Sequence, residues 1–339
     1  MVRKWAAELK FPLPLWSRAY FYGAHGVLNE VVFTALFNLV TTGGLRLYGT
    51  TSLWMFISYG LCGTFVTEKI FAELYTRRRN IPVYLRACCY VPAVYAWELL
   101  SGLLLRTFNA CPWDYSDYRY HFLGLVTLEY LPLWYMLGLY QDHLFRYLLC
   151  IQKKPGPTVG GEAGSTKSSA DKSIIESSDV NKLAAGEEPL PPWIRFCFYG
   201  MHGFLDEVVF TMLYDCVTKA PDARLTGYTS IWSFLIYGSC RIMVERLGYV
   251  YLYLQCGVPT RYRVALYLVI AYTWEFVAGL ILRQFGACSW DYSHYRFNVM
   301  GLITLEYAPG WLILGLYQDV MASYLLSLRV RKEKCVSID

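Results

Sequence analysis

Apolar residues fall in long runs along this chain, each far longer than a buried strand needs. Residues 19–40 (AYFYGAHGVLNEVVFTALFNLV), 52–74, 83–105 and 122–145 are each long enough to cross a hydrocarbon layer of ~30 Å at 1.5 Å per residue. In lipid the backbone must satisfy its own polar groups, so such runs cross as helices or closed barrels, and these lengths predict helices. Four further runs follow near 196–217, 230–251, 264–282 and 299–325. The pattern predicts an all-α, polytopic membrane protein.

The second set of runs copies the first. Tyr22–Thr34 (YGAHGVLNEVVFT) returns 177 residues later as Tyr199–Thr211 (YGMHGFLDEVVFT). Ala110–Ser116 (ACPWDYS) returns as Ala287–Ser293, Leu128–Tyr130 as Leu305–Tyr307, and Gly138–Asp142 (GLYQD) as Gly315–Asp319. Two tandem repeats of about four transmembrane helices are expected, over 19–150 and 191–327. Between them, 151–190 is rich in Gly, Ser, Lys and Glu, has no aromatic residue and is expected to be a disordered linker.

Composition agrees: of 339 residues 55% are apolar and only 17% charged, against roughly a quarter in soluble domains. The few cations are one-sided. Lys and Arg number 21 on the side holding residues 1–18, the linker and the 328–339 tail, against seven in the four opposite loops, which predicts that both termini and the linker are cytoplasmic. Units with an even number of crossings should be parallel rather than inverted. The net charge of +5 is then a topology effect: a lipid bilayer is the expected partner and nucleic acid is not. No apolar h-region precedes residue 19, so no cleavable signal peptide is expected.

The motif YGxHGxxxE, the pairs Trp97-Glu98 and Trp274-Glu275, and ACxWDYS followed by GLxTLEY resemble the transmembrane protein 229 family, also described as an ABC-transporter type IV domain. With the whole unit present twice, the chain is similar to the two-repeat A-type of that family. The resemblance covers about 18–150 and 194–330, and it implies a multi-pass membrane protein without an assigned activity or known site residues. No GxxxxGK[ST] occurs, so the chain carries no P-loop of its own.

Candidate chemistry lies in carboxylates placed where charge is costly. A charged group at mid-membrane costs at least ~2.5 to 3.5 kcal/mol. Glu30, Glu98 and Glu129 each fall seven to ten residues from an outer helix end, hence roughly 10 to 15 Å deep in one layer, which Glu207, Glu275 and Glu306 repeat. They form either a proton- or cation-handling layer or a set of hydrogen-bonded struts between helices. His25 and His202 are candidate proton relays or packed histidines. Pro132 and Pro309 are expected to interrupt helix four beside Glu129 and Glu306. Glu68 and Glu245 read as exposed ion pairs with Lys69 and Arg246. In the outer loops, Trp113-Asp114 and Trp290-Asp291 suggest a folded cap in which Asp meets the helix-end Arg106 or Arg283. Cys111 and Cys288 are either bridged or free thiols. No metal site or cofactor is expected, because no CxxC or HExxH occurs. The leading reading is a transport-like or cation-handling protein. The alternatives are a structural component of a membrane complex and an intramembrane lipid-modifying enzyme, for which no GxSxG supplies a nucleophile.

Overall fold

Pro14 opens the first helix. Its φ of −64° with an extended ψ of 154° makes it the N-cap of α1, Leu15–Thr42, which ends where Gly43 turns left-handed (φ 69°) and returns its N–H to the Leu39 carbonyl. The computed structural model describes residues 12–77, 81–154, 187–219 and 221–331. After α1 come β1 (Tyr48–Ser52), α2 (Leu53–Cys62), a π-helical turn (Gly63–Thr67), α3 (Glu68–Arg77) and α4 (Val83–Thr107). The hairpin β2–β3 (His121–Phe122, Val126–Thr127), a 3₁₀ turn (Leu128–Tyr130) and α5 (Leu131–Cys150) follow. Beyond β4 (Ile151–Lys153) and β5 (Glu187–Pro189), similar elements come in the same order. These are α6 (Pro192–Thr218), β6 (Thr226–Ser230), α7 (Ile231–Val244), a π-helical stretch (Glu245–Gln255), α8 (Thr260–Gln284), β7–β8 (Asn298–Val299, Ile303–Thr304), a 3₁₀ turn (Leu305–Tyr307), α9 (Ala308–Ser327) and β9 (Leu328–Arg331). The described chain is mostly helical, and α1, α4 and α8 are long and apolar enough to cross a membrane.

The fold divides into two compact units. The first comprises Met1–Leu149, Cys197–Gly238 and Ala278–Asp291. Its core includes Val27 and Val31 of α1 against Phe204 and Leu205 of α6, with Tyr20, Phe56 and Phe234 packed around them. Gly26 lets α1 approach α2 closely: a Cβ there would lie 2.2 Å from the Tyr59 ring. The strands β1 and β6 pair antiparallel with Thr50 opposite Tyr228. The side-chain bonds around them are reciprocal. The Ser52 hydroxyl donates to the Arg224 carbonyl at 2.5 Å and the Ser230 hydroxyl to the Arg46 carbonyl at 2.7 Å. The indoles of Trp54 and Trp232 likewise donate to the carbonyls of Ala223 and Leu45. Each serine also caps the helix that follows, accepting from the amide of Trp54 or Trp232.

The second unit comprises Cys150–Phe196, Ser239–Val277 and Tyr292–Asp339. Its core joins Cys240 and Val244 to Val264, Tyr267 and Ile270, and β9 lies between β4 and β5, antiparallel to both. Along α9 the polarity is the reverse of a soluble helix: Ile313, Leu316 and Val320 are exposed while Gln318 is buried. That exposed apolar face suits lipid contact.

Several sequence expectations change. Residues 122–145 and 299–325 are each expected to form one span, but the first part of each run folds as hairpin and 3₁₀ turn, and the helices start only at Leu131 and Ala308. Leu123 and Gly124, with φ of 54° and 64°, occupy the two left-handed positions of a tight turn that a helix cannot contain. Pro132 is therefore the second residue of α5, and Pro309 lies at the start of α9, so neither interrupts a helix. The internal proline of the first half is Pro92, within α4. The ends of the expected linker are strands β4 and β5, and 155–186 lie outside the described residues, as do 1–11 and the tail from 332.

Candidate functional site

A cavity of about 60 Å³ lies in the first unit. α1 brings Glu30 to its wall, α2 Ser58 and Tyr59, the π-helical turn Gly63 and Thr67, α4 Tyr90, Trp97 and Glu98, and α5 Trp134 and Gln141. The turn falls where the first copy has one more residue than the second: five residues separate Cys62 from Glu68, but four separate Cys240 from Glu245. Such a bulge widens a helix locally and is frequent at functional sites.

Two carboxylates face this cavity without a cationic partner. Glu98 is only 9% exposed; its Oε1 accepts from the Tyr115 hydroxyl at 2.9 Å, and its Oε2 has no hydrogen-bond partner. Glu30 accepts from the Thr51 hydroxyl through Oε2 and, at a long 3.5 Å, from the Tyr59 hydroxyl. No lysine, arginine or histidine is among the lining residues. Four other deep carboxylates are paired with arginines. Glu68 pairs with Arg18 at 2.8 Å, Asp142 with Arg86 at 2.7 Å, Glu245 with Arg195 at 2.9 Å and Asp319 with Arg263 at 2.6 Å. Glu68 and Glu245 are thus buried pairs with arginines 50 residues away, not exposed pairs with their chain neighbours, because their helix face turns into the protein.

The loop after α4 folds over the cavity. Asp114 accepts from the amide (3.0 Å) and hydroxyl (2.6 Å) of Ser116, bonds that hold its carboxyl below the ordinary aspartate value. That turn aims Tyr115 at Glu98, while the Trp113 indole donates to the Leu125 carbonyl at 3.0 Å and its ring lines the cavity. Burial, with Glu98 beside it, pushes the Tyr115 phenol far above its usual value, so it remains a donor. Asp114 lies 3.6 Å from Arg106, and Asp291 lies 3.7 Å from Arg283; both pairs are largely exposed and add little.

Glu129 is not part of this group. It is exposed in the 3₁₀ turn, where the Thr127 hydroxyl and the Tyr120 amide (3.0 Å) donate to it and hold its carboxyl below the ordinary glutamate value. Glu306 does the same with Thr304 and the Phe297 amide. The three-carboxylate layer fails at this member because the span expected to carry it begins two residues later. Glu207, in the first unit, accepts from the Thr229 hydroxyl at 2.8 Å, and Glu275, in the second, from the Tyr292 hydroxyl at 3.0 Å.

His25 lies off the cavity wall, its Nδ1 2.6 Å from the Phe21 carbonyl one turn back. His202 is buried; the Tyr20 hydroxyl meets its Nδ1, and Asp206 lies 3.4 Å from its Nε2. Cys111 and Cys288 are free thiols, directed at the carbonyls of Trp113 and Trp290 at 3.3 Å. Sequence reasoning missed Tyr115, Trp134 and Gln141 as site residues. Tyr115 and Gln141 lie inside two of the repeated motifs, WDYS and GLYQD, and recurrence was the available signal.

Long apolar helices with an outward apolar face define a helical membrane protein in class. Residues 194–333 match the family model described as "Putative ABC-transporter type IV", the second copy of the repeated motifs. No solved structure matches the chain.

Proposed function

We propose that this chain is a multi-pass membrane protein of two tandem, parallel four-helix units, with both termini and the stretch between them cytoplasmic, that admits cations into a carboxylate-lined cavity. The observation that carries this reading is the unneutralised pair Glu30 and Glu98, set against four deep carboxylates that each have an arginine. An uncompensated carboxylate in a low-dielectric site is either protonated or accompanied by a cation from outside, and both make the cavity a place where positive charge enters. The recurring order of elements supports the tandem arrangement, as does the resemblance to the two-repeat type of the transmembrane protein 229 family. The matched family name supports a transport-like role. Glu129 and Glu306 serve instead as struts of the loop hairpins.

Cys62 lines the cavity and reports on it. Full-length protein in phosphatidylcholine vesicles is treated with a cationic or an anionic thiosulfonate of equal size, and modification of Cys62 is followed by mass spectrometry. The cationic reagent should react at least tenfold faster, and Glu30→Gln with Glu98→Gln should bring the ratio towards one. Equal rates in the native protein, or no modification by either reagent, would overturn the reading.

A further inference from the structure

Three residues that line the cavity each carry a buried polar atom without a hydrogen-bond partner: Glu98 Oε2, Gln141 Oε1 and Trp134 Nε1. Their residues are 9%, 4% and 8% exposed. Native proteins rarely leave a buried polar atom unpaired, so three on the residues of one cavity wall constitute an unfilled pattern of two acceptors and one donor. The walls between them are aromatic, with the rings of Tyr59, Trp97 and Trp113 among the lining groups, and aromatic faces attract organic cations. Two carboxylates without a counter-cation select positive charge and repel anions.

We infer that the cavity binds a small protonated primary amine bearing an oxygen, an amino-alcohol type of ligand. Its N–H groups donate to Glu98 Oε2 and Gln141 Oε1, and its oxygen accepts from the Trp134 indole. A quaternary ammonium has the charge but no N–H, and leaves both acceptors unpaired. An alkylamine lacks the oxygen. The inference rests on the cation-admitting reading above. The same chemistry is present in free amino alcohols and in ethanolamine headgroups of lipid.

Tritiated ethanolamine is the probe, with full-length protein in phosphatidylcholine nanodiscs, and propylamine and choline as competitors. Saturable binding is expected, with choline competing at least tenfold more weakly. Glu98→Gln, which keeps an acceptor for Tyr115, should weaken binding at least tenfold. Trp134→Phe should weaken ethanolamine several-fold and leave propylamine unchanged, a separation that misfolding does not produce. Nanodiscs containing phosphatidylethanolamine that compete with the probe assign the ligand to lipid; competition by free amine alone assigns it to solution. No saturable binding, choline equal to ethanolamine, or affinity unchanged in both variants overturns the inference. If Cys62 still reacts selectively with cationic reagent in that case, the cavity reading stands and only the ligand assignment fails.

Discussion

Asp142 is fully buried, and its charge is held by one arginine in particular. Arg86 donates to both carboxylate oxygens, at 2.7 and 2.9 Å, and its guanidinium lies 4.3 Å from the centre of the Tyr75 ring, whose hydroxyl also reaches Asp142 at 3.0 Å. Arg146 is 3.4 Å away and 25% exposed. Removing one member of a buried ion pair costs about 3 to 5 kcal/mol, because the other charge is left in a low dielectric. Arg146 offsets part of that loss, so Arg86→Met is expected to destabilise the protein by about 3 kcal/mol, roughly a 150-fold change in the folding equilibrium. Asp142→Leu should cost a similar amount. The double variant Arg86→Met with Asp142→Leu removes both charges, leaves Arg146 hydrated, and should return to within about 1 kcal/mol of the native protein. Reversible unfolding of the full-length protein in mixed micelles, as a function of the denaturing detergent fraction, measures all three. A single-variant cost below about 1 kcal/mol, or a double variant as unstable as the two singles added, refutes the argument that burial makes this pair interdependent.

Three further outcomes follow from the loops and strands. Gly124 has a φ of 64°, and a Cβ there would lie 2.4 Å from the Ser116 hydroxyl and 2.5 Å from Asp114, so Gly124→Ala should cost more than about 1 kcal/mol and loosen the cap, read as faster amide exchange at Tyr115. Glu129 has a carboxyl lowered in the folded loop, so its stabilisation is present above the ordinary glutamate pKa and is lost as pH falls through the lowered value; protection of the Tyr120 amide should decline over that acid range, and Glu129→Gln should abolish the pH dependence. Because the β1–β6 bonds are reciprocal, Ser52→Ala and Ser230→Ala should each cost about 0.5 to 2 kcal/mol and agree within about 0.5; a several-fold difference in unfolding free energy would contradict that equivalence.

Helix existence was readable from the apolar runs because a span's length exceeds anything a strand of ordinary size needs. The badly placed starts, before α5 and before α9, come from hairpins that extend the apolar run: in the first, Phe122, Leu123, Leu125 and Val126 are apolar, and only Gly124 marks the turn. Glu30 and Glu98 could be singled out because carboxylates in such runs are costly and these two recur. Their surroundings could not be read, since Tyr115 reaches Glu98 from a loop and Gln141 joins the cavity wall from another helix. The arginines of Glu68 and Glu245 were hidden for the same reason: each lies 50 residues earlier in the chain, and neighbouring Lys69 and Arg246 offered a nearer but incorrect partner.

The central claim is that positive charge enters the membrane at Glu30 and Glu98. Full-length protein in proteoliposomes adsorbed to a solid-supported membrane reports such charge movement as a transient current when ethanolamine is applied at constant ionic strength and pH. A saturable inward current that disappears in Glu30→Gln with Glu98→Gln is the expected result. The same current from the double variant contradicts the account; no current from the native protein, together with loss of the selective reaction of Cys62 with cationic reagent, contradicts it as well.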